Sequence, residues 1–326
     1  MRSLIEAFPS QIREALAIGS QATLQPRGGI NAILVTGLGG SGIGGKITSH
    51  LVADTCEIPF LVNNEYHLPH WVDEHTLVIV SSYSGGTEET LSAMQEAIER
   101  GCAMACITSG GEVLEKAKEH GLDHIIIPGG NPPRSMLAYS LIQQLFILKA
   151  YKLWNGEIEE ALSQIALRLE EQRDVIARNA MDLAVRTIDR LPIIYTDRRL
   201  EGVAIRWRQQ INENGKKLAW HNVIPEMNHN ELVGWETGDE ALAVIILQDG
   251  MEIERNRVRT EICRGIFNAK THVVETINAI GSSDLERVFH LIYFGDWYSL
   301  HLAELGNQDP IQIRNIDLLK NELSKI

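Results

Sequence analysis

Short apolar runs alternate with amphipathic stretches through the first half of the chain. Asn31-Ala-Ile-Leu-Val-Thr36 is unbroken by polar residues and ends in a glycine cluster, the pattern of a strand buried on both faces of a parallel sheet. Residues 58–63, Thr76-Leu-Val-Ile-Val-Ser81, 103–108 and the edge-like 123–128 predict four more strands. Residues 43–53, 86–100 and 112–120 carry helical periodicity between them, the last closed by Gly121. Residues 135–151 and 157–183 are long helical patterns with no strand between them. The alternation then resumes, with strands over 193–195, 241–247 and 271–277, and helices over 200–212, 252–267, 284–305 and 316–323.

This order predicts an α/β protein of two doubly wound parallel-sheet domains joined by long helices. The boundary falls between residues 1–153 and 154–326, in line with the ~150 residues usual per domain. The two halves share no strong sequence identity, and there is no low-complexity segment.

With 44% hydrophobic residues the chain can bury a large core. Thirty Lys and Arg against 43 Asp and Glu give a net charge of −13, which argues against a nucleic-acid binder but not against an anionic small substrate at a locally positive site. Four cysteines without a Cys-x-x-Cys pair are neither a disulfide framework nor a zinc ribbon. The first eleven residues carry Glu6 and Pro9 without an apolar stretch, so no signal peptide is expected. The longest apolar run, 241–247, is too short to span a membrane. A cytoplasmic protein is the expectation.

Two loops carry candidate chemistry. Gly37-Leu-Gly-Gly-Ser-Gly-Ile-Gly-Gly45 lies between a strand and a helix, where glycines admit a ligand close to the backbone and a helix N-terminus offers amides to an anion. It also fits G-x-G-x-x-G, but the next strand ends Val62-Asn63-Asn64, where a dinucleotide site wants an acid. Ser81-Ser-Tyr-Ser-Gly-Gly-Thr87-Glu-Glu again follows a strand. A simple helix cap would use one hydroxyl, whereas Ser82, Ser84 and Thr87 supply three. Hydroxyls and free amides of this kind suit a phosphate.

The glycine–serine loop followed by Ser-x-Ser-x-x-Thr resembles the sugar isomerase (SIS) domain. Two such units in a chain of this length resemble the bifunctional phosphoglucose/phosphomannose isomerases. The resemblance implies a 6-phosphate held by Gly40, Ser41, Ser82, Ser84 and Thr87. Four further segments fit it.

Asn131-Pro-Pro-Arg134 presents an arginine on a stiff approach. A rigidly held arginine suits an oxyanion or enediolate, the alternative being a surface arginine, and in the family this group lies near the sugar C1–C2 oxygens. Glu213, in Gln210-Ile-Asn-Glu-Asn-Gly-Lys216, ends a helix that Gly215 is expected to cap; a negative charge there is locally unfavourable. The stretch is similar to the Glu-Ser-Asn-Gly-Lys segment that carries the catalytic base of conventional phosphoglucose isomerases, one residue shorter. His229, in Pro225-Glu-Met-Asn-His-Asn230, reads alone as a loop histidine. The resemblance makes it the group that assists ring opening, delivered from a partner subunit. Lys320, in Ile316-Asp-Leu-Leu-Lys320, is by itself a solvated lysine and is assigned a catalytic role by the family match alone.

The implied reaction is metal-independent aldose–ketose isomerisation through a cis-enediolate, with no cofactor, a phosphorylated hexose as ligand and a homodimer as the working unit. His67-Leu-Pro-His70 is too short and Pro-broken to pair metal ligands on one helix. Relatives that accept mannose 6-phosphate carry a threonine before the C-terminal helix. Here 309–315 reads Asp-Pro-Ile-Gln-Ile-Arg-Asn, without threonine or serine, a departure that bears on the phosphomannose activity alone. The rival reading is a non-catalytic phosphosugar sensor, which would need the hydroxyl loops but not Glu213.

Overall fold

The structure, a computed structural model, describes residues 1–325. Two helices open the chain, α1 (Arg2–Glu6) and α2 (Phe8–Gln21). The first sheet is built from β1 (Ala32–Thr36), α3 (Gly39–Leu51), β2 (Phe60–Asn63), β3 (Thr76–Ser81), α4 (Glu88–Glu99), β4 (Ala103–Thr108), α5 (Gly111–Glu119) and β5 (Asp123–Ile126). Its strands run parallel in the order β2-β1-β3-β4-β5. Every residue of β1, β3 and β4 is buried, which is why these strands are apolar throughout rather than alternating.

Helices α6 (Leu137–Ala150) and α7 (Glu159–Thr187) lead to the second sheet. It comprises β6 (Leu191–Asp197), α8 (Glu201–Glu213), β7 (Trp220–Ile224), a 3₁₀ turn at Glu226–His229, α9 (Glu231–Gly234), β8 (Leu242–Gln248), α10 (Glu254–Asn268) and β9 (Val274–Asn278). The order β7-β6-β8-β9, again all parallel, repeats that of the first four strands. Each sheet therefore has one point where strand order reverses, between β1 and β3 and between β6 and β8. Ligands of open α/β sheets bind at such crevices. The chain ends with α11 (Asp284–Leu305) and α12 (Arg314–Leu323).

One apolar cluster runs through both halves. It joins Ile33 and Leu77 of the first sheet to Ile194 and Ile245 of the second through α6, α7 and α11. Two smaller clusters cover the outer faces of the sheets. Residues 137–148 of α6 and 288–303 of α11 are buried on all sides, which explains their lack of a polar face. No helix among the described residues is long and apolar enough to cross a membrane.

Three elements depart from the sequence expectation. The segment with Pro9 is helix α2, because proline is tolerated in a first turn whose amides have no intrahelical acceptor. Phe8 of that helix stacks on Tyr293 at 5.5 Å. Strand β7 was not expected: Trp220-His-Asn-Val-Ile has three polar or exposed positions and pairs on one side only. Helix α3 begins at Gly39 rather than residue 43, so the glycine cluster is itself the first turn.

Candidate active site

Three loops converge at the carboxyl ends of β1 and β3. The Ser81 hydroxyl donates to the Ser41 carbonyl at 3.1 Å, and the Ser41 hydroxyl accepts from the Tyr83 amide at 3.0 Å. The Tyr83 hydroxyl accepts from the Asn131 amide at 3.0 Å, tying in the loop that carries Arg134. Gly40 lies against that loop: a Cβ there would sit 3.1 Å from the Arg134 backbone nitrogen.

Thr87 occupies the N-cap position of α4, yet its hydroxyl makes no cap bond. It accepts instead from the Ser82 hydroxyl at 3.2 Å. The Ser84 hydroxyl accepts from the Gly86 amide at 3.3 Å. Helix α4 thus opens with its first-turn amides uncapped by a side chain beside three hydroxyls, an arrangement able to take an anion. In the glycine loop, the Asn64 amide donates to the Gly37 carbonyl at 2.5 Å.

Arg134 is 4% exposed and makes four bonds. Its Nε donates to Asn214 Oδ1 at 2.7 Å and Nη1 to Glu213 Oε2 at 3.3 Å; Nη2 donates to the carbonyls of Pro310 and Ile311 at 2.6 and 3.1 Å. Only one N–H, on Nη1, is left over. The guanidinium thus holds the Glu213 carboxylate in place and clips the loop at Pro310 and Ile311 against it.

Behind this pair lies a buried polar network. Arg206 Nη2 donates to both carboxylate oxygens of Asp296, at 2.9 and 2.8 Å, and to the Arg134 carbonyl at 3.0 Å. Gln210 donates to Asp296 at 2.8 Å. Asn214 donates to the Ser299 hydroxyl at 3.0 Å, which in turn donates to the Asp296 carbonyl. Sequence reasoning missed Arg206, Asn214 and Asp296. Their only signal was polar residues at positions that the periodicity of α8 and α11 turns inward.

Glu213 is half-buried and lines a cleft of about 600 Å³ with Lys216, Asp309, Gln312, Arg314 and Asn315. The helix end that delivers it differs from expectation. Gly215 does not take the left-handed position; Lys216 does, with φ 54°. The Lys217 amide bonds back to the Ile211 carbonyl, closing the turn around Lys216. Gly215 is needed for space, since a Cβ would lie 2.8 Å from the Ile211 oxygen.

The structure therefore gathers Gly40, Ser41, Ser82, Ser84, Thr87, Arg134 and Glu213 into one region. His229 and Lys320 stand apart from it. His229 is exposed on the 3₁₀ turn after β7, Lys320 is exposed on α12, and neither lines the Glu213 cleft. Among the described residues no three His, Cys, Asp or Glu side chains gather as a metal site.

Residues 30–152 match the family described as SIS domain, and residues 176–323 the family described as bacterial phospho-glucose isomerase C-terminal SIS domain. A bifunctional phosphoglucose/phosphomannose isomerase of Caldicellulosiruptor bescii is 40% identical over 98% of this chain and 97% of its own length. One of Aquifex aeolicus is 36% identical over 90% of each chain. A crystal structure of a hypothetical protein from Thermus thermophilus superposes with a TM-score of 0.76 at 15% identity, covering 98% of this chain and 89% of that one, and shows the shared fold. Identities of 40% and 36% over 98% and 90% of the chain place it in the bifunctional phosphoglucose/phosphomannose isomerase family.

Proposed function

We propose that the protein interconverts glucose 6-phosphate, fructose 6-phosphate and mannose 6-phosphate. The observation that carries this reading is the Glu213 carboxylate, held by a buried arginine and lining an open cleft. The phosphate sits on Ser41, Ser82, Ser84 and Thr87, with Gly40 giving it backbone access. The anion there needs many donors, which the two loops supply without a cation.

Glu213 removes the C2 proton of the aldose and returns it to C1. Arg134 fixes the carboxylate and lends its field to the cis-enediolate. Mannose 6-phosphate and glucose 6-phosphate differ only at C2 and give the same enediolate, so one base serves both. The wall formed by 309–315 offers the Gln312 and Asn315 amides where other relatives have a threonine. His229 and Lys320 act at the ring oxygen and O1, and His229 comes from a second copy in a homodimer. Acid or base catalysis of this kind is worth roughly 10²–10⁴-fold per step.

Proton NMR of fructose 6-phosphate in D₂O with protein and EDTA tests the reading. Growth of glucose and mannose 6-phosphates deuterated at C2 is expected. Glu213→Gln should abolish both products while leaving fructose 6-phosphate affinity within about threefold, since the exchange keeps the Arg134 contact and removes only the proton acceptor. No product from the unaltered protein would instead support the sensor.

A further inference from the structure

We propose that Lys216 is a catalytic residue of this site: its ammonium carries the proton between sugar oxygens O1 and O2 while Glu213 carries the proton between C2 and C1. This rests on the isomerase reading above.

Four observations support it. Lys216 lines the same cleft as Glu213, three residues further on. Its ammonium donates to the Glu213 carbonyl and forms no ion pair among the described residues, which leaves two N–H donors for a ligand. Arg134, by contrast, has spent all but one N–H on the protein and does not line the cleft. Lastly, Lys216 stands with φ 54° at the turn position where glycine or asparagine is normally found. A lysine there costs backbone energy that glycine would not, and such strain concentrates at functional sites.

The charged groups around it also suit a proton carrier. Burial and the Arg134 guanidinium push the Lys216 ammonium below its ordinary value. Asp309, from the loop before α12, and Glu213, from its own helix end, oppose this. Arg314 lines the same cleft.

The step balances without a further reactant. Glu213 takes the C2 proton, the C2–H pair becomes the C1=C2 bond, and the C1=O1 pair moves onto O1. O1 takes a proton from the Lys216 ammonium, leaving the amine. The amine then takes the O2 proton as C2=O2 forms, and the C1=C2 pair takes its proton back from Glu213 at C1. Both side chains end as they began.

The test compares wild type with Lys216→Met, Lys216→Arg and Lys216→Gly. It measures conversion of fructose 6-phosphate to glucose 6-phosphate and, separately, exchange of the C1 proton into D₂O. In all three variants kcat for conversion should fall on the order of 10²–10³-fold with KM moving less than about threefold. C1 exchange should fall less than about tenfold, because Glu213 still works. Lys216→Arg keeps the charge but cannot release a proton, so it should be as slow as Lys216→Met. Lys216→Gly should unfold at the same or a higher temperature than wild type, which separates lost chemistry from lost structure. Conversion within about threefold of wild type in Lys216→Met, or conversion and exchange falling in equal proportion, would overturn the proposal. Absence of conversion in the wild type would instead overturn the isomerase reading itself.

Discussion

Asp296 is wholly enclosed between α11 and α8. Burial pushes its carboxyl up, and the bonds from Arg206 and Gln210 pull it back. Removing one member of a buried pair leaves the other uncompensated, which costs more than the pair contributes. Asp296→Asn should therefore lower unfolding free energy by roughly 3 kcal/mol in urea titrations with the slope unchanged. It should also lower kcat, because Arg206 holds the Arg134 carbonyl. Asp197, at the end of β6, is a buried carboxyl without such a full set of partners. Burial pushes it up to about 6; Asp249 and Glu252 add to this, while the Arg199 amide and guanidinium oppose it. The folded protein thus binds a proton between about pH 4 and 6 that the unfolded chain has released. Its contribution to stability is full below the unfolded value and is lost as pH rises to about 6. Asp197→Asn removes that loss and keeps an oxygen for the Arg199 amide. The variant should be roughly 1–2 kcal/mol more stable than wild type at pH 8, with the gain gone by pH 4. Thermal melts at the two pH values check the sign.

The loop between β3 and α4 is shaped by contacts that leave no room for a side chain. Gly85 has φ 69°, and a Cβ there would lie 1.8 Å from the Gly110 carbonyl oxygen. Gly85→Ala must push the Ser82–Thr87 loop off the 108–111 turn. Initial-rate kinetics should show KM for fructose 6-phosphate raised about tenfold or more, the cost of losing one or two hydrogen bonds to phosphate. The position of this loop was legible in the sequence because strands buried on both faces announce themselves. The expected ends of β3 and β4 are the observed ones. The helix over 284–305 was also expected, and in the structure the Ser283 hydroxyl accepts from the Glu286 amide at its start. Edge strand β7 was not legible, because a strand paired on one side needs no apolar run and Trp220-His-Asn carries none. The Lys216 turn was hidden too. Local preference assigned the left-handed residue to Gly215, while packing against Ile211 and Leu302 demanded glycine for its volume instead.

At the scale of the whole molecule, the two sheets repeat one topology but their crevices differ in charge. Where β1 and β3 end in glycines and hydroxyls, β6 and β8 end in Asp197 and Asp249. Arg199 fills the gap and ion-pairs with Asp54, Asp249 and Asp284. In the proposed reaction the second half contributes Glu213 rather than a second anion site. One protomer still leaves pieces unused. Helix α12 buries none of its residues and exposes Ile316, Leu318, Leu319 and Leu323. Exposed apolar side chains grouped on one short helix call for a covering surface. His229 likewise is exposed and does not line the Glu213 cleft of its own chain. Under the proposed homodimer, one symmetry operation would cover this helix and deliver this histidine, since each copy both gives and receives. Complementation tests this. Glu213→Gln and His229→Ala homodimers should each be nearly inactive, for different reasons. When they are mixed, denatured and refolded together, half of the dimers pair one chain of each kind. Such a dimer has one site with Glu213 from the His229→Ala chain and His229 from the other, while its second site lacks both. Recovery of about a quarter of wild-type activity follows from that count. If instead each chain used its own histidine, every site would lack one group and mixing would recover nothing.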